Sequence, residues 1–301
     1  MSDAERYLAA AQRESTRRRY AQAIEHFEAQ WGGWLPASSE SVVRYLAVYG
    51  AQLSGSTLKT HLAALARWHQ QHGFSDPTKS PRVRDTLRGI QALHPQVPQQ
   101  AAAVALEDLE RCVTQLQKEQ RDTADAERLR AARDQLLLLL GFWRALRADE
   151  LCRLRFEHVR VCPRERLELF LPSSKTDRDN RGRTVNVPAL KRLCPVDAFV
   201  GWKVSTGLQE GPVFRSIDRW GHIGSQALNS NSLSRVLRQV MLRSGLTGEG
   251  YSGHSLRRGF ATWASRNQWS ARDLMTYVGW RDIQSAIRYV DAATPFGEWL
   301  R

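Results

Sequence analysis

Apolar residues recur at helical spacing along most of the chain, with one short interval of strict alternation. Tyr20, Ile24, Phe27 and Trp31 follow Ser15-Thr16 at steps of four, three and four, which predicts a capped helix ended by Gly32-Gly33. Val42, Leu46, Tyr49 and Leu53 predict a second helix over about 39–53. Leu58, Leu62, Leu65 and Trp68 predict a third that starts after Gly55-Ser56 and runs up to Gly73. Ser80-Pro81, a cap followed by a first-turn proline, opens a fourth with Val83, Leu87 and Ile90 inward and Arg82, Arg84 and Arg88 on its other face. Residues 95–103, rich in proline, glutamine and alanine and without an apolar period, read as a linker between a helical bundle at 1–94 and a second domain at 104–301.

The second domain opens with helices expected at about 106–118 and 127–145. Leu136 to Trp143 is the longest apolar run, too short to span a membrane and suited to a buried helix. Leu167 to Leu171 alternates cleanly and pairs with Thr184 to Val187 across a polar turn in which Asn180 and Gly182 suit a hairpin. Helices follow at about 195–204 and from Ser230 to Arg243, separated by a loop that holds Arg219-Trp220-Gly221-His222. The last stretch folds back twice. One helix spans Ser255 to about Asn267, and a second opens at the capping box of Ser270 and Asp273 and stops at Gly279. A third, short one carries Ile283, Ile287 and Val290 inward with Tyr289 beside them. The fold class is mainly α in two domains, a helical bundle and an α-rich domain with a small antiparallel sheet.

Charge then narrows the partner. Of 301 residues, 44 are Lys or Arg and 31 Asp or Glu, for a net charge of +13. Basic residues outnumber acidic ones 12 to 8 up to Val97 and 32 to 23 beyond it, so both halves favour a polyanion. Lys59, His61, Arg82, Arg84 and Arg88 are the candidate DNA contacts of the bundle. The four cysteines form no CxxC pair and have no histidines at zinc spacing, and the first residues contain no apolar signal core. A cytoplasmic protein with reduced thiols is the expectation. No acidic cluster has metal spacing and no glycine-rich phosphate loop appears, so neither metal nor nucleotide cofactor is expected.

The refolded C-terminal stretch can bring His254, Arg257, Trp280 and Tyr289 to one spot. Singly, each has an ordinary reading: a capping histidine, a paired arginine, a core indole, a tyrosine at the edge of a helix. Together they suit attack on a phosphodiester. A phenol is a poor nucleophile near its usual pKa of about 10, so it needs a base or cations beside it. Arg147 and Arg257 can fork onto non-bridging oxygens, Glu150 lies one turn from Arg147 to hold it, and Lys175 lies in the hairpin turn within reach of a leaving oxygen.

Taken in order, ALRADEL with Arg147 and Glu150, SSKTD with Lys175, HSLR with His254 and Arg257, VGW with Trp280 and RYV with Tyr289 resemble the boxes of the tyrosine site-specific recombinases of the phage-integrase family, in particular the Cre type. The match covers roughly 104–293, and Trp280 stands where most of the family has histidine. The resemblance implies a clamp around duplex DNA at specific sites, a helical core-binding domain and a catalytic domain. It also implies strand exchange through a 3′-phosphotyrosyl link and a Holliday junction by a homotetramer, without metal or ATP. The residues name no directionality or accessory factor. A type IB topoisomerase, or a catalytically silent DNA-binding accessory protein, would carry the same basic surface. The tail 291–301, with Phe296, Trp299 and Leu300, is expected to dock either on its own domain or on a neighbouring protomer.

Overall fold

The computed structural model describes residues 3, 6–7, 14–96, 100–172 and 182–290, with Val290 as backbone only. The chain divides into two compact units, 1–99 and 100–301. The first is a helical bundle of α1 (Glu14–Glu25), α2 (Ser39–Tyr49), α3 (Gly55–Gln71) and α4 (Pro81–Leu93). The spacing from Tyr20 to Trp31 belongs to one helical path, but its last turn, His26–Gln30, widens to a π-helix. α3 begins at Gly55 rather than after it, because Ser54 caps it by accepting from the Thr57 N–H at 3.0 Å. α2 stops at Tyr49, short of Leu53, where Gly50 lets Ile90 of α4 press against the backbone.

Phe27, Val42, Leu46, Leu58, Leu65 and Val83 form the centre of this bundle, as their spacing predicts. Tyr45 is fully buried beside them and brings a polar group with it. Its hydroxyl lies 2.9 Å from His26 Nδ1 and 2.5 Å from His61 Nδ1. One phenolic proton serves two imidazoles, so the hydroxyl donates to one ring and accepts from the other. Burial, with His26 nearby, holds the His61 pKa below its ordinary value.

The second unit is built round α6 (Asp125–Trp143), which is buried on every side from Leu136 to Phe142 and so serves as its central rod. α5 (Leu106–Asp122), α8 (Pro195–Thr206) and α10 (Ser255–Arg266) pack on it. The sheet has three antiparallel strands, not the expected two: β1 (Val159–Cys162), β2 (Arg166–Leu171) and β3 (Arg183–Pro188). Leu167 faces Val187 and Leu169 faces Val185, so one row of side chains enters the core. A second hairpin, β4 (Arg215–Ile217) and β5 (Ile223–Ala227), carries Arg219 to His222 at its tip where an irregular loop is expected from sequence. α9 (Ser230–Arg243) follows, and then α11 (Ala271–Val278) and α12 (Gln284–Val290) close the described chain.

The end of the expected linker already belongs to this unit. The Ala102 N–H donates to the Gly250 carbonyl at 2.8 Å and Val104, fully buried, donates to Ser255 at 3.2 Å. Ile283 departs from expectation: it is 52% exposed, because α12 starts one residue later and turns Ala286 into the core instead. The expected place of Val290 falls on a side chain outside the described residues. Among the described residues no helix is long and apolar enough to cross a membrane, and no group of three or more His, Cys, Asp or Glu could hold a metal ion.

Two glycines test this packing. A Cβ at Gly259 would sit 2.2 Å from the Val104 carbonyl oxygen and 2.8 Å from Phe142, whereas one at Gly89 in α4 would meet nothing within 4 Å. Gly259→Ala should therefore lose about 1–3 kcal/mol to overpacking. Gly89→Ala should gain up to about 1 kcal/mol by lowering the entropy lost in a helix. Urea unfolding of each variant measures both signs.

Candidate active site

The site starts where α6 ends. After Trp143 the chain turns through Arg144 and Ala145, and Ala145 is fully buried with φ 51, the left-handed region that an L residue rarely enters. That turn aims the Ala145 carbonyl at α10, where it accepts from Arg257 Nη1 at 2.7 Å. α7 (Ala148–Cys152) begins at once, with Arg147 as its N-cap residue. The backbone N–H of Arg147 donates to Glu150 Oε2 at 2.9 Å and its guanidinium donates to Oε1 at 2.8 Å. One carboxylate thus fixes both ends of the same arginine. Glu150 is only 3% exposed.

Three more arginines crowd that carboxylate or its neighbours. Arg183, the first residue of β3, brings Nη2 within 3.9 Å of Glu150 Oε1 and packs on Gly279, where any Cβ would collide with it. Arg144 lies over the Tyr277 ring at 4.3 Å and donates to the Tyr277 carbonyl. Arg257 is buried, and its Nη2 has no hydrogen-bond partner among the described residues. Burial above all, then the like charges of Arg147 and Arg183, bring the Arg257 guanidinium down to about 9 against the pull of Glu150 and Tyr289. It remains charged at neutral pH and short of a partner. An anion with several oxygens would supply what this cluster lacks.

The aromatic side of the site faces those cations. Gly279 ends α11 in the left-handed conformation, which turns the chain sharply into Trp280. The Trp280 and Tyr289 rings stack in parallel, 6° apart with centroids at 5.3 Å, and the Arg257 guanidinium lies 5.4 Å over the indole. The backbone of Tyr289 is tied to α10 by the Ser265 hydroxyl, which donates to its carbonyl at 2.9 Å. Burial raises the Tyr289 pKa, opposed in order by Arg258, Arg257 and Arg288. Tyr277, the other phenol nearby, donates its proton to the Trp143 carbonyl at 2.7 Å and is held inward.

His254 stands exposed at the start of α10. Its position follows from Gly253, whose missing side chain lets the loop press on Ala148, the residue after Arg147. The structure thus gathers Arg147, Glu150, Arg257, Trp280 and Tyr289 into one connected cluster, and places His254 next to the loop that packs on Ala148 of α7. Lys175 lies outside the described residues. Arg144, Arg183 and Arg258 are also in the cluster and were not singled out from sequence. Nothing in the spacing of β3 says that Arg183 turns toward α7, and Arg258 looks like any helix-surface cation.

The candidate DNA contacts of the bundle lie in the other unit and are described by themselves. Lys59, Arg82, Arg84 and Arg88 are exposed; Arg82 pairs with Glu40 at 2.8 Å and Arg88 with Asp85. His61 is half-buried, with one ring nitrogen occupied by Tyr45.

The family model described as "Phage integrase family" matches residues 113–294. The "Integrase/recombinase xerD homolog" of Selenomonas ruminantium is 27% identical over 267 residues, covering 87% of this chain and 76% of that protein. The fold is similar to that of the XerH site-specific recombinase bound to palindromic difH substrate in a post-cleavage complex. There the TM-score is 0.63 at 16% identity, over 94% of this chain and 78% of that one. A lambda integrase dimer bound to a core site gives a TM-score of 0.59 at 16% identity, over 97% of this chain and 94% of the other.

Glu150 offers a test by pH. Burial pushes its carboxyl up, but the Arg147 backbone and guanidinium and the Arg257 charge outweigh that and hold it below the usual glutamate range. A depressed folded pKa contributes stability that is complete above the unfolded value and is lost as pH falls through the folded one. Glu150→Gln should thus cost about 3 kcal/mol at neutral pH, the scale of a broken buried pair. The gap to the parent should narrow as pH drops below the ordinary glutamate range. Denaturant unfolding across that range gives the profile.

Proposed function

The chain belongs to the phage integrase family and is a tyrosine recombinase, and from that premise we propose that Tyr289 is the nucleophile of a site-specific DNA strand exchange. The observation that carries the reading is the arrangement round Arg257: a buried guanidinium whose Nη2 lacks a hydrogen-bond partner among the described residues, between other arginines and a stacked tyrosine. That is the form of a seat for a phosphate next to a phenol.

In the proposed reaction the Tyr289 oxygen attacks the scissile phosphorus as the bond to the 5′ oxygen breaks. Arg147 and Arg257 bind the non-bridging oxygens and stabilise the charge that grows on them. Glu150 keeps Arg147 in place, and Trp280 holds the phenol ring by stacking. His254 accepts the phenolic proton and Lys175 donates one to the departing 5′ oxygen. The products are a 3′-phosphotyrosyl link and a free 5′-hydroxyl. Attack by the hydroxyl of a partner strand reverses the step with an equal bond exchange, so no ATP is consumed. Four protomers on two sites would exchange strands in pairs through a Holliday junction. The helical unit would serve as the core-binding domain, trading the Arg82–Glu40 and Arg88–Asp85 pairs for phosphates, with Lys59, Arg84 and the free edge of His61 beside them.

The test begins with a duplex selected from a random library for binding. The parent should form a covalent adduct that survives denaturation, while Tyr289→Phe binds the duplex as well and forms none. Adduct in Tyr289→Phe would move the nucleophile elsewhere and end this assignment.

Lys175 has its own test. Lys175→Ala should slow cleavage by roughly 10²–10⁴, the worth of a lost general acid. A substrate whose 5′ bridging oxygen is sulfur leaves as a thiolate and needs no proton, so it should be cleaved almost normally by that variant. Arg257→Ala should stay slow on both, because charge on the non-bridging oxygens develops whatever group departs.

A further inference from the structure

Arg258 has no part in the reaction above, yet it lies against the nucleophile. It follows Arg257 on α10, and the helical step of about 100° sends the two guanidiniums in different directions. That of Arg257 lies over Trp280 at 5.4 Å, and that of Arg258 lies over Tyr289 at 5.8 Å. With the indole and phenol parallel at 5.3 Å, the four side chains form one series of cation, indole, phenol and cation. Arg258 Nε is buried and has no hydrogen-bond partner among the described residues, unlike the guanidinium of Arg147 with its carboxylate.

A cation over an aromatic face is held by the ring's electrons, and more strongly when the ring carries a negative charge. In the proposed reaction Arg257 shares its charge with the phosphate. Arg258 is turned to the tyrosine. We propose that Arg258 is a positioning residue dedicated to Tyr289, which fixes the ring against Trp280 and stabilises its phenolate both when it attacks and when it leaves during rejoining.

The surroundings agree. Burial disfavours ionisation of Tyr289, and of the cations that oppose burial Arg258 contributes most, ahead of Arg257 on the same helix and Arg288 on Tyr289's own helix. α11, which also packs on α12, directs its Tyr277 hydroxyl away to Trp143, and its Arg272 and Asp273 are exposed.

The proposal rests on Tyr289 as the nucleophile, which the adduct assay checks separately; its own first test needs no DNA. A difluorotyrosine placed at 289 in the full chain is more acidic than tyrosine and gives a fluorine signal that follows ionisation of that one ring. In Arg258→Met the ring should ionise at higher pH than in the parent, Arg258→Gln should follow the methionine variant, and Arg258→Lys should stay near the parent. Superimposable titrations of the parent and Arg258→Met would overturn the proposal, as would a lysine variant displaced as far as the methionine one. On the selected duplex, Arg258→Met with ordinary tyrosine should form adduct roughly tenfold more slowly, the worth of a desolvated cation over a ring. The difluorotyrosine should restore most of that loss, since its phenol ionises without help. A loss of equal size with either ring would mean that Arg258 merely supports the fold.

Discussion

One buried carboxylate allows the arginines of this site to stand together. Guanidiniums packed at low dielectric repel each other strongly, and burial removes the water that would screen them. Glu150 binds the backbone and the guanidinium of Arg147, comes within 3.9 Å of Arg183 and draws on the charge of Arg257. A single negative charge among so many positive ones leaves the cluster cationic and held in position before any substrate arrives. Such an arrangement avoids reorganisation at the moment of reaction. It also ties down a short helix of five residues, α7, whose N-terminal turn holds that carboxylate.

The helices were legible because a buried stripe must repeat with the helical period, and nearly every residue placed inward by that rule is buried or half-buried. β1, β4 and β5 were not, because strands of three to five residues offer too few alternations to stand out. Tyr45 was hidden for a different reason. It lies three residues from Val42 on a core face, but its buried hydroxyl is satisfied by histidines 16 and 19 residues away, a pairing that only the folded bundle creates. Ile283 was misplaced by one turn boundary.

The candidate site was legible as a list and as a rough convergence, but not in the directions of the side chains that complete it. Arg147, His254, Arg257 and Tyr289 stand out by type and order, and Glu150 by its spacing from Arg147. The direction of Arg183 depends on how β3 meets Gly279, and that of Arg258 on where α12 returns to α10. Long-range packing decides both. The left-handed turn at Ala145 was equally invisible, since alanine gives no local sign of such a backbone.

Ala145 also sets a limit on how this enzyme can be improved. Glycine would fit its dihedral angles but loosen the carbonyl that anchors Arg257, and asparagine would fit them while placing an amide where the fold has buried a methyl group. Relief of strain and rigidity of the proposed phosphate seat therefore oppose each other at one residue. Selection for heat tolerance and selection for turnover would favour different residues there, and a laboratory lineage pushed along either line would give up part of the other.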